Sequence, residues 1–151
     1  MSRSSGPFEF ASPDWLSHVE KALAGAFEPV RDEPGLVFSY AERYTDVPPH
    51  LRRPDGNGYT ARFQKGSFTF ERKPSSDVDV LITADYHAIL PRVRMVIADD
   101  PVRWSKGWRP IIEAGHLTVS DSRSFPGFLD GVHDVIARGT AADRRNDDES
   151  A

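Results

Sequence analysis

The chain has 151 residues, enough for one domain and too few for two of ordinary size. It contains no cysteine, which excludes disulfides, thiolate metal sites and cysteine nucleophiles together and fits a reducing, cytoplasmic setting. The net charge of −4 comes from acids and bases mixed along the chain; there is no clustered basic patch to mark a nucleic-acid partner, and no apolar run approaches the ~20 residues of a transmembrane segment.

Residues 1–7 are polar, carry no signal-peptide core and are expected to be disordered. Ser12 then offers an N-cap, Pro13 a first helical position and Asp14 a favourable charge in the first turn. Trp15, Val19, Ala22, Leu23, Ala26 and Phe27 recur at helical spacing, so a helix is predicted until Pro29 and Pro34 end it. Leu36, Phe38 and Tyr40 alternate with Val37, Ser39 and Ala41, the pattern of a strand covered on both faces over part of its length. Residues 46–58 hold three prolines and Asp55-Gly56 and read as a loop.

Tyr59, Ala61 and Phe63 alternate outward from a Lys65-Gly66 turn that leads into Phe68 and Phe70, which predicts a hairpin. Val78, Val80 and Ile82 follow as another half-buried strand. Three strands joined by short connections imply an antiparallel meander. From Asp85, the side chains of Tyr86, Ile89, Leu90, Val93, Val96 and Ile97 share a helical face, with a break expected at Pro91. Residues 101–110 are ambiguous, because Trp104 and Trp108 lie one helical turn apart while Gly107 disfavours a helix. Arg92, Arg94, Arg103 and Lys106, offset by Asp99 and Asp100, read as a solvated helical face.

Residues 115–119 predict a short strand. Ser124 and Pro126 open a last helix with Phe128, Leu129, Val132, Val135 and Ile136 at helical spacing. Residues 139–151 have the composition of a disordered tail, leaving a single domain at 8–138. The order of elements is that of an α+β fold, with helices packed on one face of a mainly antiparallel sheet.

Four stretches resemble the sterol-carrier-protein-2-like (SCP2-like) family of lipid-binding domains, in its small bacterial form. Phe10-Ala11-Ser12-Pro13-Asp14-Trp15-Leu16 is similar to the family's Phe-x-Ser-Pro-Glu-Trp opening. The run from Asp77 to Tyr86 resembles its acidic–aliphatic strand ending in Thr-x-Asp-Tyr. Gly115-His116-Leu117-Thr118-Val119 is similar to the glycine-led strand before the last helix, and the helix of Phe128 and Leu129 matches in place. One departure is Asp121-Ser122, where the family commonly has Gly-Asp. The resemblance implies about five strands, with helices enclosing an apolar tunnel for a sterol, fatty acid or acyl-CoA. It also implies a carrier without catalytic residues or cofactor, with a metabolic enzyme as a candidate partner.

The chemistry-bearing residues give a reading of their own beside that resemblance. His18, His50, His87, His116 and His133 show no metal-ligand spacing, and no metal site is expected. His87 with Asp85 and His133 with Asp134 are the available acid–base pairs, but helix neighbours one or two apart do not face each other. No nucleophile elbow, phosphate loop or dinucleotide fingerprint occurs, so no enzyme motif is found. Phe63, Phe70, Ile82, Tyr86, Leu90, Trp104, Trp108 and Phe128 are the expected ligand-lining residues, each also readable as plain core. Lys106 and Arg109 would form a cationic rim for a headgroup. Two rival readings stand beside the carrier. One is a small α+β hydratase, isomerase or epoxide hydrolase using a buried His–Asp pair; the other is an accessory subunit docking a metabolic enzyme.

Overall fold

The computed structural model describes residues 7–121 and 125–141. Helix α1 (Pro13–Phe27) starts where the sequence places it. The Ser12 hydroxyl oxygen accepts the Trp15 N–H at 3.1 Å, and Pro13 fills a position whose missing N–H costs nothing. Its stripe of Trp15, Leu16, Val19, Leu23 and Phe27 is buried. At ~1.5–3 kcal/mol per large apolar side chain removed from water, that stripe ties α1 firmly to the sheet.

The strands are β1 (Val37–Thr45), β2 (Asn57–Gln64), β3 (Ser67–Glu71), β4 (Val80–Asp85) and β5 (Leu117–Val119), in the order β3-β2-β1-β4-β5. The predicted hairpin is β2–β3, closed by Lys65-Gly66 with Gly66 at φ 77°. The predicted meander is not formed. Strand β4 does not follow β3 at the sheet edge but lies parallel to β1, with Tyr40 beside Val80, so the sheet is mixed.

The cause lies in residues 72–79, which cross behind the sheet instead of turning back. Thr60 Oγ1 donates to the Lys73 carbonyl at 2.8 Å and Arg62 Nη1 to the Asp77 carbonyl at 2.8 Å. Asp79 then accepts the Ser39 N–H at 2.9 Å, which sets β4 down beside β1. This crossing also covers Thr60 on the far face of the sheet.

Side chains alternate across a strand, so the register defines one shared face. It carries Phe38, Tyr40, Glu42 and Tyr44 of β1, Tyr59, Ala61 and Phe63 of β2, and Phe68 and Phe70 of β3. Val80, Ile82 and Ala84 of β4 and Leu117 and Val119 of β5 complete it. The helices pack on this face. At Gly58 the register needs glycine: φ is 136°, and a Cβ would fall onto the Glu42 carbonyl oxygen.

Helix α2 (Tyr86–Val93) begins at Asp85, whose carboxylate accepts the Ala88 N–H at 2.9 Å, and ends two residues after Pro91. The ambiguous stretch is helical: α3 (Pro101–Glu113) runs through both Gly107 and Pro110. Helix α4 (Val132–Arg138) starts later than expected, after a single 3-10 turn at 127–129, and Ser124 lies outside the described residues.

Residues 139–141, which composition assigns to the tail, lie against the N-terminal segment. Phe8 N donates to the Gly139 carbonyl at 2.6 Å and Ala141 N to the Phe8 carbonyl at 2.7 Å. Trp15 Nε1 donates to Thr140 Oγ1 at 2.9 Å. The rest of the expected disordered ends, 1–6 and 142–151, lies outside the described residues.

Candidate functional site

The shared face is covered in two different ways. Over β2 and β3 it is filled by rings: Phe63 stacks on Phe68 at 5.1 Å, Phe128 meets Phe63 edge-on at 5.1 Å, and Phe27 packs against both Phe63 and Phe68. Over β4 and β5 the covering helices stand off. A cleft of ≈ 310 Å³ opens there, between Ile82, Ala84 and Leu117 of the sheet and side chains of α2, α3 and α4. Its rim is formed by Ile112 and Val119, which are 52% and 48% exposed.

Glu42 and Tyr59 lie at the sheet side of this cleft. Tyr44 Oη donates to Glu42 Oε1 at 2.5 Å, and the Tyr40 and Tyr59 hydroxyls meet at 2.9 Å. Burial holds the Glu42 carboxyl above the ordinary carboxylate value, opposed by hydrogen bonds from Tyr44 and Tyr59. Burial likewise pushes the Tyr44 and Tyr59 phenols well up, with the nearby Glu42 charge adding to the effect. The strand periodicity explains the placement. Glu42 falls between Tyr40 and Tyr44 on the inward face, where a residue of either type must point at the helices.

Arg92 lines the helix side. The solvated face expected for it is not what the structure shows, since Arg92 is only 6% exposed. Its guanidinium lies 4.8 Å from the Trp104 ring and 4.8 Å from the Trp108 ring, a double cation–π contact. Its terminal nitrogens donate to the Arg103 and Trp104 carbonyls of α3. A Cβ on Gly107 would fall on that guanidinium, which accounts for a glycine in the middle of α3. Burial and the neighbouring Arg103 charge both lower the Arg92 pKa.

His133 on α4 stands against Trp104, with ring centroids 4.2 Å apart. A carbonyl only accepts, so the 2.8 Å contact with Met95 O places the His133 proton on Nε2. Burial lowers its pKa, opposed by that hydrogen bond and by the Asp134 charge.

Ile82, Trp104 and Trp108 of the sequence-derived set come together at the cleft. Phe63, Phe70 and Phe128 belong to the filled half, Phe70 stacking on Tyr59 at 5.3 Å. Tyr86 is buried against Phe10 at 4.8 Å, and Leu90 is buried on α2. Lys106 and Arg109 are on the exposed side of α3, where Arg109 pairs with Glu113 at 2.9 Å. The His–Asp pairs of the enzyme reading are engaged elsewhere. Asp85 caps α2, and Asp134 accepts the Ile97 and Ala98 N–H groups at 2.6 and 3.2 Å.

Sequence reasoning missed Glu42 and Arg92. The signal for Glu42 was available in the Phe38, Tyr40, Tyr44 alternation; that for Arg92 was its helical spacing from Ile89, three residues before it. A larger, more open groove of ≈ 860 Å³ runs between α1 and α4, past His18, Lys21, Phe128 and Val135. The smaller cleft is the stronger candidate, because it reaches the core and gathers the buried polar groups. Among the described residues no cluster of three or more metal-ligating side chains occurs, and no helix is long and apolar enough to cross a membrane.

No family model matches the chain, and none of the curated proteins does. Among solved structures, it is similar to the solution structure of a conserved hypothetical protein from Thermus thermophilus, described as a possible sterol carrier protein. The likeness covers 91% of this chain and 94% of that one, at 12% sequence identity and a TM-score of 0.47. It is full-length and weak.

Proposed function

We propose that the chain binds a small apolar molecule in the cleft between β4–β5 and helices α2, α3 and α4, and carries it without altering it. The observation behind this reading is the cleft itself: its walls are mainly aliphatic and aromatic side chains, with a few convergent polar groups. Its volume is at the lower end of the roughly 300–1,000 Å³ typical of small-molecule sites, which favours a slender ligand. The SCP2-like resemblance adds sterols, fatty acids and acyl-CoA as the classes to test.

Trp104 and Trp108 supply the probe. Titration with neutral apolar compounds such as decanol should change tryptophan fluorescence and saturate, and Ile82→Trp should fill the cleft and weaken binding without unfolding the chain. Absence of saturable binding across chain lengths and sterols would sink the carrier reading. The competing enzyme reading draws on Glu42 and His133 lining the same cleft. Turnover of a hydratable or isomerisable apolar substrate that Glu42→Gln abolishes would put it in place of the carrier.

A further inference from the structure

Among the described residues, Arg92 is a buried cation that joins no ion pair. Burial lowers its pKa, and so does the charge of Arg103, another cation. The Arg92 Nε–H is buried with no acceptor among the described residues. Its terminal nitrogens have carbonyl acceptors and its face has two rings, but a buried charge with no opposite charge and one unmet donor is still costly to keep out of water. Yet the surroundings hold the group in place: Trp104 and Trp108 lie against it, and Gly107 makes room for it. The same side chain lines the cleft.

We propose that Arg92 is the anion-holding end of the cleft, and that the ligand is a small monocarboxylate with an apolar body. This rests on the binding role proposed above. The planar guanidinium matches a carboxylate in shape and in its directed N–H groups. Charge balance, with the Glu42 carboxyl on the same wall protonated as its raised pKa favours, selects the monoanion. The cleft offers one arginine, while the other basic side chain on its wall, His133, has its Nε2–H committed to the Met95 carbonyl. A phosphate dianion would bring an uncompensated charge into an apolar site, and a neutral sterol would leave Arg92 unpaired. The apolar body would then extend along Ile82, Leu117 and Val119 towards the open rim.

The test compares decanoate, decanol and decyl phosphate, which share one chain and differ in headgroup. For the wild-type chain, decanoate should bind roughly ten- to a hundred-fold more tightly than decanol, the worth of one charged hydrogen-bonded contact. In Arg92→Met that preference should vanish. Gly107→Ala, which displaces the guanidinium and leaves residue 92 as arginine, should remove the preference too and covers the case in which Arg92→Met does not fold. Equal affinity of the wild type for decanoate and decanol overturns the anion site and leaves the carrier reading standing. Tighter binding of decyl phosphate than decanoate overturns the monocarboxylate. Failure of all three compounds to bind overturns both.

Discussion

Two halves of one sheet face, both covered by helices, have been finished differently. Over β2 and β3, α1 inserts Phe27 and the strands answer with Phe63, Phe68 and Phe70, so ring packs on ring. Over β4 and β5 the strands present Val80, Ile82, Ala84 and Leu117, and α3 contributes no buried side chain at all. Hydrophobic pattern alone is therefore a poor guide to where a protein is solid. What separates the halves is the size of the strand residues and whether the covering helix commits its apolar face.

The sharpest way to break this comparison is to cut one large ring from each half. Phe63→Ala should cost about 3–5 kcal/mol, since it empties a fully packed site. Trp108→Ala, at the half-buried cleft wall, should cost ~1 kcal/mol or less. Urea unfolding of the two variants decides the matter, and equal losses would mean that the cleft half is as tightly built as the other. Next in size comes Gly58→Ala. Its φ of 136° alone implies ~1–3 kcal/mol of strain, before the contact of the new Cβ with the Glu42 carbonyl is counted. Thermal melting should show the loss, together with disturbed hydroxyl contacts at Tyr59.

Thr140→Val keeps the side-chain volume and removes the acceptor of Trp15 Nε1, at an expected cost of ~1–2 kcal/mol. A neutral result would show that the chain end does not brace α1.

The smallest effect has the opposite sign and belongs to the cleft. Glu42 titrates near ~4.3 in an unfolded chain but keeps its proton to higher pH in the fold. Its contribution is thus fully present at acid pH and is lost as pH rises through the folded value. Glu42→Gln does not titrate, so it should melt a few degrees above wild type at about pH 8 and close to it at about pH 4. His133 is common to both chains and cancels from the difference. A variant less stable at both pH values would mean that the carboxylate is held ionised.

Much of the fold was legible. Ser12-Pro13 marked the start of α1, Lys65-Gly66 the hairpin turn and Asp85 the entry to α2, because each rests on local backbone chemistry that tertiary structure did not override. The place of β4 was not legible. Period-two alternation says which face a strand buries, not which neighbour it takes, and the bonds that seat β4 join residues far apart, such as Ser39 and Asp79. The candidate site is hidden for a related reason. Charge along a sequence reads as exposure, which sends Arg92 to water and Lys106 and Arg109 to the headgroup. Arg92 is buried only because two rings and a glycine on another helix, α3, accommodate it.

The parallel seat of β4 also sets an order of assembly. Strands β2 and β3 meet across a two-residue turn, whereas Val80 reaches its partner Tyr40 only after the intervening hairpin and crossing are in place. Closing that longer loop carries the larger entropy cost, and β5 in turn has β4 as its neighbour in the sheet. The half of the sheet that walls the cleft is thus expected to join last and to open first, as a unit, while α1 and the hairpin stay closed. Amide exchange should be faster across residues 80–93 and 101–119 than across 57–71. A ligand could then enter by partial opening of that half, with the filled half serving as the fixed base against which it recloses.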